Sequence, residues 1–453
     1  MHEAYLSLLK SENIPDNVIR TFEAYYQMLV SGDTGKITNE MISPPTIGNL
    51  VEYNTIANYR TQDPLNQIVV IKLNGGLGTS MGLSKAKSLL PVKGNMTFLD
   101  IITRQILIQR AQSAANVQLL FMNSYSTEAD TINYLSKYPD LAKQEIPISF
   151  LQNKFPRIRQ DNLQPFESPD RSAIWNPPGH GDIFTAITAN GLLEQLIDSG
   201  ITYAFVSNSD NLGATLDSAI PAYMKDNQVP FLMEVCHRTE SDRKGGHLGQ
   251  DAQGKLLLRE VAQCPDSEIA SFQNIDFYKY FNTNNLWIDL HALKAELVAN
   301  DGIILLPLII NPKEVEGTPV YQLETAMGAA INLFDNAKAL VVPRERFAPV
   351  KKTSDLLALW SDAYELNDQY QIVLKRGLVN SPVISLDENF YKDIRQMQDR
   401  FHEGIPSLYA CTSLDISGDV SFGEDVTLSG TVKISTDAPV KIRNRSITGE
   451  LNL

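Results

Sequence analysis

Between residues 65 and 350, short β-branched runs alternate with helical stretches, and this alternation restricts the fold more than any other feature of the chain. Ile68-Val-Val-Ile71, Val117-Gln-Leu-Leu-Phe-Met122 and Ile201-Thr-Tyr-Ala-Phe-Val206 have strand composition. Phe98 to Gln109 has helical spacing, with Thr97 as its N-cap, and Gly191 to Ser199 is a second helical stretch. Strands alternating with helices predict an α/β domain with a mixed, mostly parallel sheet and helices on both faces. Ligands of such sheets bind outside the carboxyl ends of the strands. A site is therefore expected just after Ile71, Met122 and Val206.

The flanks read differently. Residues 1–55 are predicted to be helical, with Leu6, Leu8 and Leu9, then Val18, Ile19, Phe22, Tyr25, Tyr26 and Leu29 at helical spacing. In the tail, Leu414, Val420, Val426 and Val432 are six residues apart, as are Ile416, Phe422, Leu428 and Ile434. A six-residue period marks a β-helix, each short strand forming one side of a triangular coil. A pair of ordinary hairpins is the alternative. The expected division is a helical segment over 1–55, an α/β domain over 56–360, and linker helices with a small left-handed β-helix over 361–453. Exposed edges of that module offer a route to end-to-end homo-oligomers.

Net charge is −14 over 453 residues, which argues against a nucleic-acid backbone or an anionic membrane as partner. Two basic islands stand out: Lys72, Lys85, Lys87 and Lys93, then Arg344, Arg346, Lys351 and Lys352. Cys236, Cys264 and Cys411 are far apart in sequence, a pattern of neither disulfides nor zinc, and fit inert thiols in a reducing compartment. The first ten residues lack the basic start and long apolar run of a signal peptide. The most apolar run, Ile303 to Ile310, is eight residues long and contains Pro307, too short to span a bilayer. A cytoplasmic location is expected.

The strand at Ile68 leads into Lys72-Leu-Asn-Gly-Gly-Leu-Gly-Thr-Ser-Met-Gly82, with four glycines in eight positions. Glycines let backbone approach a ligand, and exposed N–H groups there can cradle phosphate. The loop matches neither the P-loop nor the dinucleotide fingerprint, and a plain tight turn explains glycines alone equally well. Lys85 and Lys87 follow within ten residues; a lysine beyond a glycine loop can reach the phosphates it holds, whereas Lys85 reads as a solvated surface charge.

Leu73 to Gly82 resembles the signature of eukaryotic-type UDP-glucose pyrophosphorylases. The resemblance continues through Met122-Asn-Ser124, Trp175-Asn-Pro-Pro-Gly-His-Gly-Asp182, Val206-Ser-Asn-Ser-Asp-Asn-Leu-Gly213 and Lys244-Gly-Gly246. Glu260, Phe281-Asn-Thr-Asn-Asn-Leu-Trp287, Gln322-Leu-Glu-Thr-Ala326 and Val350-Lys-Lys-Thr-Ser-Asp-Leu356 complete it, in the family's order. It implies a Rossmann-like, GT-A-like nucleotidyltransferase domain that joins UTP to glucose 1-phosphate with Mg²⁺. It further implies that Lys87 and Lys351 act on the phosphates and that Asp210 holds the metal. Leu73, Asn74, Gly75, Gly76, Met122, Gln152, Gly179 and Asn208 fall on the nucleotide side, and His180, Gly246, Glu260, Asn282 and Asn284 on the sugar side. Each asparagine also has a turn-forming alternative. The family's usual Gly-Pro-Lys is Lys85-Ala86-Lys87 here, and Ala86 is expected to leave the approach to Lys87 freer than proline would.

The implied reaction is in-line attack of a sugar-phosphate oxygen on the α-phosphorus of UTP. The nucleophile is already an anion, so catalysis is expected to be positioning plus electrostatics. Two rival readings stand beside it. One is the sister activity on N-acetylhexosamine 1-phosphates, whose loop is typically Leu-Ala-Gly-Gly-Gln-Gly-Thr-Arg, from which Asn74, Leu77 and Ser80 depart. The other is a non-catalytic nucleotide-sugar sensor or scaffold.

Overall fold

The computed structural model describes residues 3–61, 65–113 and 115–453. Eight strands form the spine of the central sheet: β1 (Leu50–Glu52), β2 (Ile68–Asn74), β3 (Gln118–Asn123), β4 (Ser149–Leu151), β5 (Tyr203–Asn208), β6 (Phe231–His237), β7 (Tyr280–Asp289) and β8 (Lys338–Val341). Their spatial order is β1-β8-β6-β7-β5-β2-β3-β4. Pairing is parallel except around β7, which runs antiparallel to both β5 and β6. The expected mixed, mostly parallel sheet is therefore present.

The strands read as continuous apolar runs because both faces are covered. Along β2, Ile68 and Val70 join one core with Phe98, Ile101 and Ile102 of the helix Phe98–Ser113. Val69 and Ile71 join the opposite core with Leu193 and Leu196 of the helix Leu192–Asp198. Successive side chains thus go to opposite faces, as the pleat requires. The Thr97 cap is present in reciprocal form. Thr97 Oγ1 accepts from the Asp100 N–H at 3.2 Å, and Asp100 Oδ2 accepts from the Thr97 N–H at 2.9 Å.

The helical reading of residues 1–55 holds only as far as Val30, through helices Glu3–Ser11 and Asp16–Val30. Beyond them Leu50–Glu52 is an edge strand, paired in parallel with β8. Three residues are too few to carry a period, so no sequence signal announces it. In the tail, Ser407–Ser417, Val426–Ser435 and Arg445–Asn452 pair in parallel, joined by Val383–Leu386. Leu414 lies opposite Val432 and Ile416 opposite Ile434, an offset of 18 residues. Hairpins would pair antiparallel, so the hairpin alternative fails. Among the described residues no helix is long and apolar enough to cross a membrane.

One buried group beside the sheet carries a pH prediction. His247 is fully buried and stacks on Tyr278, with ring centroids 3.9 Å apart. Burial, together with the charges of Arg238 and Arg259, holds its pKa down to about 3. From pH 6.5 down to about 3 the unfolded chain carries a proton there that the folded chain does not, so stability falls as pH falls through this window. Replacing His247 by Phe is expected to flatten the dependence of urea unfolding on pH below 6.5, by up to about 1.4 kcal/mol per pH unit. An unchanged slope would show that His247 binds its proton equally in the folded and unfolded chains.

Candidate active site

The register of the parallel strands assembles the nucleotide side. Asn208 of β5 lies opposite Leu73 of β2, and Leu73 opposite Met122 of β3. Three candidates from distant segments therefore share one row at the carboxyl edge of the sheet. The glycine loop leaves β2 from there. Gly78 and Gly82 have φ of 64° and 75°, a conformation that favours glycine. The loop folds over Lys87, whose N–H donates to the Gly76 carbonyl at 3.1 Å. Gly75 leans on Gln152, where a Cβ would stand 3.0 Å from Oε1. Gln152 Nε2 donates in turn to the Gly179 carbonyl at 2.7 Å. The buried amide of Asn74 is used internally, donating to Asn123 Oδ1 and Thr131 Oγ1 at 2.7 and 2.9 Å. Only its main chain remains for a ligand.

Ala86 is buried, with φ −51° and ψ 127°. This is the backbone that proline would impose, so the freer approach expected from alanine is not seen. The Ala86→Pro variant is expected to raise the urea midpoint, by about 0.4–1 kcal/mol of stability, because it restricts only the unfolded chain. A lowered midpoint would mean that the ring finds no room.

Lys87 and Asp210 meet. Lys87 Nζ lies 2.6 Å from Asp210 Oδ2, both side chains being mostly covered, and also donates to the Val350 carbonyl. Val350 N–H donates to the Asp210 carbonyl at 3.1 Å. The first of the key lysines, the candidate metal ligand and the segment that leads into Lys351 are thus held together. No group of three or more metal-ligating side chains occurs among the described residues.

On the sugar side, Gly246 faces Glu260, where a Cβ would stand 2.5 Å from Oε1. Asn282 Nδ2 donates to Asn284 Oδ1 at 2.9 Å, and the Asn284 N–H to Asn282 Oδ1 at 3.0 Å. Asn284 has φ 58°. Part of each amide therefore serves the local turn. Burial pushes the Glu260 carboxyl up, against the Asn282 amide and the charge of Lys351. Lys351 Nζ stands 5.6 Å from the ring centroids of both Phe281 and Phe347. Lys352 is exposed. His180 Nδ1 accepts from the Met327 N–H at 3.0 Å, which leaves Nε2 as the protonated nitrogen. Burial holds its pKa down to about 4, so the ring is a neutral donor near pH 7.

The basic islands dissolve in three dimensions. Lys72 is buried and donates to Ser207 Oγ and the Ala214 carbonyl at 2.7 and 2.9 Å, and burial pulls its pKa to about 7. Lys93 caps the Leu359 and Ser361 carbonyls at 3.0 and 2.5 Å. Lys85 is exposed. Arg344 pairs with Asp242 at 2.7 Å and Arg346 with Glu234 at 2.5 Å. Of the two islands, Lys87 meets Asp210 and the Val350 carbonyl, and Lys351 is exposed beside Phe281 and Phe347. Asp182 is an addition the sequence did not single out. It accepts from the Asn153 N–H and Nδ2 at 2.7 and 2.9 Å, tying the His180 loop to the segment after Gln152. Burial pushes its carboxyl up to about 7.

Residues 19–429 match the family model described as UTP–glucose-1-phosphate uridylyltransferase. The chain belongs to this family. It is 41% identical to the UTP–glucose-1-phosphate uridylyltransferase of Musa acuminata, over 98% of this chain and 96% of that protein. Among solved structures, a mutant UDP-glucose pyrophosphorylase from Leishmania major in complex with UDP-glucose superposes with a TM-score of 0.91 at 40% identity, covering 100% of this chain and 99% of the other. A UDP-glucose phosphorylase from Trypanosoma brucei gives a TM-score of 0.88 at 43% identity, with 98% of both chains covered. Lys87 stands against the glycine loop through its N–H bond to the Gly76 carbonyl, and its Nζ donates to the carbonyl of Val350, the residue before Lys351.

Proposed function

We propose that the protein joins UTP to glucose 1-phosphate, forming UDP-glucose and releasing diphosphate. The observation that carries this reading is the convergence of Lys87, Asp210 and the Val350–Lys351 segment beside the glycine loop. Main-chain N–H groups of Gly75 and Gly76 receive the nucleotide phosphates, with Leu73, Met122, Gln152, Gly179 and Asn208 around the base and ribose. Neutral His180 donates to substrate through Nε2, and Gly246, Glu260, Asn282 and Asn284 hold sugar hydroxyls. Lys87 and Lys351 neutralise charge as the α-phosphorus is attacked in line, which needs no general base. A single carboxylate beside a phosphate cradle fits Mg²⁺, which takes one or two carboxylates and fills its shell with phosphate and water oxygens. Asp210 would hold the ion, which when bound offsets phosphate charge. The family match favours this reading over an N-acetylhexosamine substrate or a non-catalytic scaffold.

A pyrophosphate-release assay with UTP and a panel of sugar 1-phosphates tests it. Release with glucose 1-phosphate is the expected result. UTP binding without release for any sugar would remove the enzyme reading.

The 18-residue parallel offset in the tail supports a left-handed β-helix there. Arg445–Asn452 ends its four-stranded sheet, and this edge supports homo-oligomers through the module. Native mass measurement tests the latter, and a monomer at micromolar concentration would count against it. Three buried, unpaired cysteines support a reducing, cytoplasmic location.

A further inference from the structure

We infer that Asn211 is a positioning residue: its buried amide clasps the segment 346–350 to the turn that carries Asp210, and so fixes where the Lys351 ammonium stands relative to that carboxylate. The inference rests on the reading of Lys351 as a group that acts during uridylyl transfer.

Asn211 follows Asp210 directly and is 1% exposed. Its Oδ1 accepts from the Ala348 N–H at 3.0 Å, and its Nδ2 donates to the Arg346 carbonyl at 3.1 Å and to Asn285 Oδ1 at 3.2 Å. An asparagine that merely shapes its own turn bonds to backbone about two residues on. These bonds instead reach a segment more than a hundred positions away, and both ends of the amide are used there. Asn211 also forms an isolated antiparallel bridge with Pro349. One residue on each side, the Val350 N–H donates to the Asp210 carbonyl. The two loops approach so closely at Gly213 that a Cβ would stand 2.2 Å from the Glu345 carbonyl oxygen.

The far side of the clasp cannot drift. Arg346, whose carbonyl Asn211 grips, is anchored by its own side chain through Nε and Nη2 to the fully buried Glu234, at 2.8 and 2.5 Å. The chain from Arg346 to Val350 is therefore tied to the Asp210 turn at 346, 348 and 350, and Lys351 follows directly, its own N–H donating to Asp355 Oδ2 at 2.6 Å. Loosening it displaces Lys351 from the phosphates while leaving the glycine loop and its nucleotide contacts in place.

A double-mutant cycle in the full chain tests this, with steady-state kinetics and far-ultraviolet circular dichroism on each variant. Asn211→Ala is expected to lower kcat by about 10–100-fold, the scale of an ångström-sized misplacement, with KM for UTP nearly unchanged. In the Lys351→Ala background the same substitution is expected to cost nothing further, since the group it positions is gone. Loss by the same factor in both backgrounds would overturn the inference and leave Asn211 with a merely structural role. Normal turnover of Lys351→Ala alone would overturn the reading of Lys351 and the inference with it, an outcome distinct from the first. Should Asn211→Ala fail to fold, Gly213→Ala, which wedges the same two loops apart, is carried through the same cycle with the same expected and overturning results.

Discussion

Lys351→Ala is expected to turn over at least ~10²-fold more slowly than the unaltered enzyme, the scale of removing one electrostatic stabiliser. The side chain is exposed, so its loss opens no cavity. Its main chain keeps its place, because the Lys351 and Lys352 N–H groups both donate to Asp355 Oδ2, at 2.6 and 2.8 Å. What disappears is a cation suspended over Phe281 and Phe347, whose charge also acts on Glu260. A charge held that way offsets the negative charge that builds on the departing diphosphate, so the loss should fall on kcat rather than on KM for UTP. Lys352→Ala is the internal comparison. Lys352 meets Glu388 at 3.5 Å, with both side chains mostly exposed, and such pairs contribute little. Stopped-flow single turnovers on the two variants measure the chemical step directly. Equal rates for Lys351→Ala and the parent would remove Lys351 from the mechanism.

The two lysines also mark how far the sequence can be read. Leu73, Met122 and Asn208 are legible as a group because each ends a parallel strand, and parallel register brings strand ends to one edge. In the tail, Leu414 and Val432, three six-residue periods apart in sequence, lie opposite each other in a parallel pair. Charge clusters are not legible in this way. Lys72 looks like Lys87 in sequence, yet it sits inside β2 and points into the sheet's packing, where Ser207 and Ala214 accept its hydrogen bonds. Arg346 belongs to the second basic island in sequence, and the acid it pairs with, Glu234, is 112 positions away on β6. Ala86 misleads in the opposite direction. Its composition suggests looseness, but burial imposes the backbone that the family's proline would have supplied. In each case the deciding contact joins segments whose pairing only the folded sheet defines.

That same buried pair gives the largest expected effect on stability. Glu234 accepts four hydrogen bonds: from Trp287 Nε1 at 2.9 Å, from Asn285 Nδ2 at 3.0 Å, and from Arg346 Nε and Nη2 at 2.8 and 2.5 Å. Glu234→Gln nearly preserves its shape but removes the charge, and turns an acceptor into an NH₂ group that must face donors. Arg346 then remains as a buried cation with no carboxylate, and breaking one side of such a pair costs about 3–5 kcal/mol. Urea unfolding followed by Trp fluorescence measures the loss. Because desolvation weighs on both ions, the paired replacement Glu234→Leu with Arg346→Met is expected to recover a substantial part of it. A loss below about 1 kcal/mol for Glu234→Gln would mean that water reaches Arg346 when the carboxylate is gone. Arg346 supplies the carbonyl that Asn211 grips. Glu234→Gln should therefore also slow turnover at urea concentrations where the protein is still folded, whereas the Leu/Met pair should restore stability without restoring rate unless the segment 346–350 packs back into the same position.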